Sequence, residues 1–169
     1  LSDTFLYRAD LSEIDLRTVT FTNADFTHTD LSGSKLPDSL LVNNNLDYAI
    51  LNNINFAGKD LSESSFKQIS LDGSDMQNTN LSLASFIQVD FTKIKNKSLA
   101  GANLFETSFA HSNLSDVSLD DVSIIQTNFW KTDLSGQDFT VISNKSSLGS
   151  KFFESNLSNA NFEGTDFAP

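Results

Sequence analysis

The 169-residue sequence contains no cysteine, two prolines, two histidines, two tyrosines, one tryptophan and one methionine. Without cysteine, disulfides and thiolate-held metals are excluded, and the redox compartment leaves no trace. Basic residues are also scarce: 11 Lys and Arg stand against 22 Asp and Glu, a formal net charge of −11. Phosphate backbones are bound by basic surfaces, so direct nucleic-acid binding is not expected. An acidic chain stays soluble and leaves basic partners open. No apolar run approaches the ~20 residues of a membrane-spanning helix, and no signal-peptide pattern opens the chain. The first residue is not Met, and the chain's internal pattern is already in phase at Leu1. It reads as a segment of a longer protein whose flanks would carry any targeting or capping segment. No compartment is written in it, and the cytoplasm is the default.

What the sequence does have is an apolar residue at every fifth position. From Leu1 the steps run through Leu6, Leu11, Leu16, Phe21 and onward to Phe91. The phase then jumps by three, resumes at Leu99 and holds to Phe139. A second jump places the last stops at Phe152, Leu157, Phe162 and Phe167. Each stop is Leu or Phe except Met76 and Ile124. A helix repeats its apolar face near 3.6 residues and a strand at 2, so this period belongs to neither. It marks a hidden repeat, to be read before any local assignment.

Around each stop the pattern has an inner logic. Two residues earlier comes a small or β-branched residue, as at Ala9, Ala24, Ala49, Ala84 and Ala102. One residue earlier comes Asp or Asn, as at Asp10, Asp25, Asn80 and Asn103. Small-in, polar-out, large-in is a strand's alternation, three residues long. The remaining two residues must turn the chain, and Asp, Asn, Ser and Gly are common at turns. Stacked coils of such units bury a core that no single unit could bury.

The copies "ADLSE" (9–13), "ADFTH" (24–28), "ANLFE" (102–106) and "ANFEG" (160–164) match the A(D/N)LXX motif. The chain thus resembles the pentapeptide repeat family over nearly its whole length. The resemblance implies an all-β fold: a right-handed quadrilateral β-helix with four units per coil, forming one domain over 1–169. At ~4.8 Å between stacked strands, about eight coils make a rod ~40 Å long. In that arrangement Phe66, Phe86, Phe109, Phe129 and Phe152 fall on one inner face, with Phe26 below them. Short bulges are expected near 92–98 and 140–151, where "FTKIKNKS" and "FTVISNKS" open the two phase jumps. Their likeness, with the likeness of "NLFETSF" to "KFFESNL" beyond them, suggests duplication of a 48-residue block, the two copies opening at Phe91 and Phe139. Asn44, Lys59 and Gln137 occupy inward slots. A buried charge is costly, so local distortion or snorkelling is expected there.

No catalytic constellation emerges. His28 and His111 hold equivalent positions four coils apart, ~19 Å by strand spacing, too far to share a metal or substrate. They read as plain surface histidines. No nucleophile elbow, phosphate-binding loop or metalloprotease motif is present. The chain is expected not to be an enzyme and to need no cofactor or metal.

The outward positions are more informative. With faces numbered from Leu1, face two places Tyr7, Tyr48, Ile87, Trp130 and Phe153 outward, and face one adds Val42, Leu83, Phe105 and Ile125. Together they form a candidate apolar stripe along one corner, suited to an unknown protein partner, to a homodimer or to end-to-end stacking. Faces three and four carry the acidic candidates Asp10, Asp30, Asp90 and Asp133, and Asp15, Asp75 and Asp138. Lys93, Lys95 and Lys97 in the first bulge, with Lys145 and Lys151 around the second, form a local positive spot. The expected role is a protein–protein recognition scaffold. The family resemblance implies one alternative: some members imitate B-DNA and bind type II topoisomerases, which the acidic faces would permit. A structural spacer between domains is the third reading.

Overall fold

A computed structural model describes residues 1–41 and 44–167. The chain winds into stacked coils, and among the described residues the strand pairing between them is parallel throughout. Ser65–Lys67 (β1) and Ser85–Ile87 (β2) pair in parallel, Phe66 opposite Phe86. Elsewhere the pairing is reduced to single bridges such as Asp10 with Asp30, Asp15 with Lys35, Asn55 with Asp75 and Asp60 with Asn80. Their common offset is 20 residues, and successive bridged positions are five apart, so a coil has four paired sides. Strands stay this short because a corner follows every third residue.

The corner explains the unit's composition. The carbonyl of the apolar stop accepts a hydrogen bond from the amide three residues on, as in Ala9 N to Leu6 O and Thr29 N to Phe26 O, each 2.9 Å. The second residue after the stop has positive φ, as at Arg8 (57°), Glu13 (60°) and Tyr48 (62°). That is the type II turn geometry, which favours glycine or asparagine. All seven glycines sit there with positive φ. At Gly136 a Cβ would come 2.4 Å from the Asp116 carboxylate stacked over it.

Where Asp or Asn precedes the stop, it secures the same corner. Its side-chain oxygen accepts from the amide two residues on, as in Asp10 with Ser12 N (3.0 Å), Asn80 with Ser82 N (3.2 Å) and Asn113 with Ser115 N (3.0 Å). A following Ser or Thr adds its hydroxyl, Ser32 Oγ lying 2.6 Å from Asp30.

Inside, the stops form the core. Leu31, Phe26, Phe86, Leu104, Phe109, Leu114, Phe129 and Leu134 are all fully buried. The anticipated ring column is present: Phe66, Phe86, Phe109, Phe129 and Phe152 stack at successive centroid separations of 5.0, 5.6, 5.8 and 5.3 Å. Stacked strands lie ~4.8 Å apart, so offset-stacked rings, which favour 4.5–7 Å, follow from the coil spacing. Hydroxyls in the small inward slots donate to stop carbonyls of the coil beneath, as Thr132 to Phe109 O (2.7 Å) and Thr127 to Leu104 O (2.8 Å). Such bonds leave no buried side-chain polar atom without a partner among the described residues.

The inward oddities are resolved individually. Gln137 is buried and its amide nitrogen donates to Leu114 O and to Val117 O (2.9 Å). Asn44 accepts from Ala24 N (2.8 Å) and donates to Leu40 O (3.0 Å), beside a 3-10 turn at Asp38–Leu40. Lys59 is half-buried rather than enclosed.

Both phase jumps are corner insertions. Bridges change offset from 20 to 23 across them, as in Asn80 with Asn103 and Asn128 with Lys151. The first insertion contains the 3-10 turn Lys95–Lys97. The second is shorter than the expected 140–151. It holds the 3-10 turns Phe139–Val141 and Ser143–Lys145, and pairing resumes where Ser146 meets Asp166. Its missing stop is Ser147, a buried hydroxyl bonded to Asp166 O (3.0 Å), which hid it from an apolar count.

Candidate recognition surface

The outward candidates do not form one stripe. Following the bridges up face two, the residue after the stop is Tyr7, Thr27, Asp47, Lys67, Ile87, Ala110, Trp130 and then Phe153. Polar residues in the middle divide the apolar positions into two patches. Val42 lies outside the described residues.

The N-terminal patch is a ring stack. His28 lies between Tyr7 (5.6 Å, edge-on) and Tyr48 (4.7 Å, stacked). Arg8 covers the Tyr7 ring at 5.0 Å and Lys67 approaches the Tyr48 ring at 5.8 Å. His111 has a similar setting against Trp130 (4.8 Å), with Lys131 over the indole at 5.1 Å. The histidines are exposed, as expected, but each has an aromatic partner that sequence spacing did not show.

The C-terminal patch is broader. On face one the bridges bring Leu83, Phe105, Ile125 and Leu148 to successive coils. On face two they do the same for Ile87, Ala110, Trp130 and Phe153. Phe153 is 69% exposed, Leu83 48%, and Phe105 and Trp130 38% each. Between the two columns runs a shallow slot of about 450 Å³ lined by Glu106, Ser108, Gln126, Asn128, Gly149 and Lys151. Leu83 carries φ 61°, a left-handed conformation that L side chains adopt at a cost of about 1–2 kcal/mol. The corner itself would be better served there by glycine.

The acidic candidates have a structural task. Asp10, Asp15, Asp30, Asp75, Asp90, Asp133 and Asp138 each accept from the backbone amide two residues on, at 2.9–3.2 Å. Hydrogen bonding to the charged form favours it. The Ser12 hydroxyl and amide therefore hold Asp10 below the usual carboxylate range, and the Thr140 side chain and amide do so for Asp138. Asp15 is lowered from 3.8 to about 2, chiefly by the Arg17 guanidinium bonded to it. Lys95 lowers Asp75 through a 2.8 Å ion pair.

The first bulge's positive spot is partly consumed by such pairs, since Lys93 also faces Asp72 at 3.8 Å. Lys97 and Val141, from the two bulges, instead border a cleft of about 460 Å³ floored by Asp116, Asp120 and Asp138. Among the described residues, no group of three or more His, Asp or Glu is arranged to hold a metal ion. No helix of the described residues is long and apolar enough to cross a membrane.

A coil of four five-residue sides, with Asp or Asn before the stop and a left-handed residue after it, defines a class of β-helical repeat protein. The family model described as pentapeptide repeats matches in eight copies over residues 1–38, 24–61, 39–78, 64–95 and 102–140, and the chain belongs to that family. Parallel pairing continues past the matched region, through Asp133 with Asn156 and Asp138 with Asn161. Among solved structures the chain is similar to HetL, a pentapeptide repeat protein involved in heterocyst differentiation regulation in the cyanobacterium Nostoc sp. strain PCC 7120. The two share 19% identity over 97% of this chain and 89% of that one, with a TM-score of 0.53. A trypsin-treated form of QnrB1, described as a plasmid-mediated fluoroquinolone resistance protein, matches at 22% identity over 98% of this chain and 88% of that one, with a TM-score of 0.41. No curated protein matches the sequence. The likeness to HetL concerns the fold alone.

Proposed function

We propose that the chain is a non-enzymatic recognition scaffold, a right-handed rod of about eight coils that presents its C-terminal apolar corner to protein partners. Proteins of this family are in general non-catalytic, with structural or interaction roles. The observation that carries the reading is the pair of apolar columns on that corner. Monomers rarely expose large contiguous apolar patches without a contact to make, and aromatic residues dominate interface hot spots. Trp130, Phe105 and Phe153 are the anchors, with Ile125 and Ile87 completing the surface; Tyr7 and Tyr48 belong to the separate ring stack.

The second reading is an acidic mimic of DNA that engages a type II topoisomerase. Its support is that Asn secures the corner as well as Asp does, so charge is an added choice on faces three and four. The spacer reading needs neither surface. Crosslinked complexes recovered from source cells separate the three. Under the scaffold reading, Trp130→Ser with Phe153→Ser abolishes recovery of specific partners, while Asp10→Asn, Asp30→Asn, Asp90→Asn and Asp133→Asn together preserve it. The opposite pattern, with salt-sensitive inhibition of gyrase supercoiling by the unmodified chain, supports the mimic. Equal recovery from both variants removes both surfaces and leaves the spacer.

A further inference from the structure

We propose that the partner of the C-terminal corner is a second copy of this chain, in an antiparallel side-by-side dimer whose two-fold axis crosses the coil carrying Ile125. This rests on the reading of that corner as a contact surface and names its occupant. Three observations converge on it.

The first is charge. The chain carries −11 overall, and self-repulsion keeps such molecules apart. The corner is the exception: Lys131 and Lys151 balance Glu106 and Glu154 there. Lys131 and Glu154 are paired at 3.3 Å, whereas among the described residues neither Glu106 nor Lys151 has an ion-pair partner within the chain.

The second is the symmetry of those two charges. Both line the slot between the apolar columns. Glu106 lies one coil to one side of Gln126 and Asn128, and Lys151 lies one coil to the other side. An isologous interface requires self-complementarity about its axis. A two-fold axis across the rod at Ile125 exchanges the flanking coils. It sets Phe105 against the partner's Leu148, and Ile125 against the partner's Ile125. Glu106 then faces the partner's Gly149, where no side chain obstructs it, within reach of the partner's Lys151. The symmetry repeats this pair.

The third is area. Leu83, Phe105, Leu148, Trp130 and Phe153 are each 38–69% exposed. At the usual areas of such side chains they offer ~500 Å² of apolar surface, roughly the apolar share of a standard interface of ~800 Å² per partner. The first bulge emerges between faces three and four and the second between faces four and one, so neither lies at the corner of faces one and two.

Sedimentation of the purified chain tests this directly. The expected result is a monomer–dimer equilibrium. Glu106→Lys and Lys151→Glu each weaken it roughly tenfold, because both symmetry-related pairs are lost together. The double variant Glu106→Lys/Lys151→Glu restores it, which excludes misfolding as the cause. Because the chain has no cysteine, Ile125→Cys introduces the sole thiol. Mild oxidation should link two copies of that variant, while Tyr48→Cys stays unlinked. A chain that remains monomeric, a dimer indifferent to both charge reversals, or an Ile125→Cys variant that does not link would overturn the proposal. A monomer whose partner recovery from cells still depends on Trp130 and Phe153 would overturn the dimer alone and leave the scaffold reading standing.

Discussion

On the acidic side, Asp30 and Asp133 each hold a backbone amide of their own corner at 2.9 and 3.0 Å. On the apolar corner, Phe153 stands in a turn of the same kind, yet its side chain extends outward at 69% exposure and makes no hydrogen bond to that turn. Both kinds of residue occupy outward positions of the same five-residue unit, yet the fold needs one and not the other. The acid's oxygen is structural and its charge is surplus. The hydrophobe is surplus entirely, and at Leu83 it sits in backbone that disfavours it. A position that local structure does not require is the better guide to what the molecule contacts.

The scale for testing this difference is set by the inner column. Phe109→Ala, between Phe86 and Phe129, should lower unfolding stability by about 3–5 kcal/mol, measured by chemical denaturation. Asp133→Ala should lower it by about 1 kcal/mol, the usual effect of losing a side-chain cap on backbone amides, while Asp133→Asn should stay within ~0.5 kcal/mol. Equal losses for the two would show that charge, and not the acceptor oxygen, holds the corner. Leu83→Gly should raise stability by roughly 0.5–1 kcal/mol through relief of the left-handed backbone. Phe153→Ser should leave it within ~0.5 kcal/mol; a larger loss would place Phe153 in the fold's own machinery.

The smallest effect is a pH dependence. The folded Asp15 titrates at about 2 against an ordinary 3.8. A depressed carboxylate stabilises the fold above the ordinary value, and that contribution fades as pH falls through the folded one. Thermal midpoints should therefore drop slightly between pH 4 and 2 through Asp15, with Asp75 and Asp138 adding to the drop in the same direction. Asp15→Asn should remove only its own share. The site is exposed, so the change stays small and shrinks with salt.

Much of the architecture was legible because one residue class occupies one position. Leu and Phe at every fifth place showed which side chains face inward, and the ring column from Phe66 to Phe152 followed from the phase jumps once the family resemblance supplied four units per coil. The misses have physical causes. Ser147 replaces an apolar stop with a hydroxyl that bonds a carbonyl, so the second insertion looked longer than it is. The supposed apolar stripe ignored Asp47 and Lys67, which stand between the two patches. The stacking of His28 with Tyr48 depends on the corner pointing side chains from adjacent coils at one another, a matter of backbone φ that spacing does not carry. The acidic positions were visible, but their role as amide acceptors emerged only with the turn geometry.

Among the described residues each coil is bonded to the ones directly above and below it and to no others. A pull applied to the two chain ends would load these rungs one after another, as in a zipper, rather than all at once. Under tension the molecule should give way in steps of one coil, each releasing about 20 residues, ~70 Å of extended chain, and so act as a graded mechanical fuse.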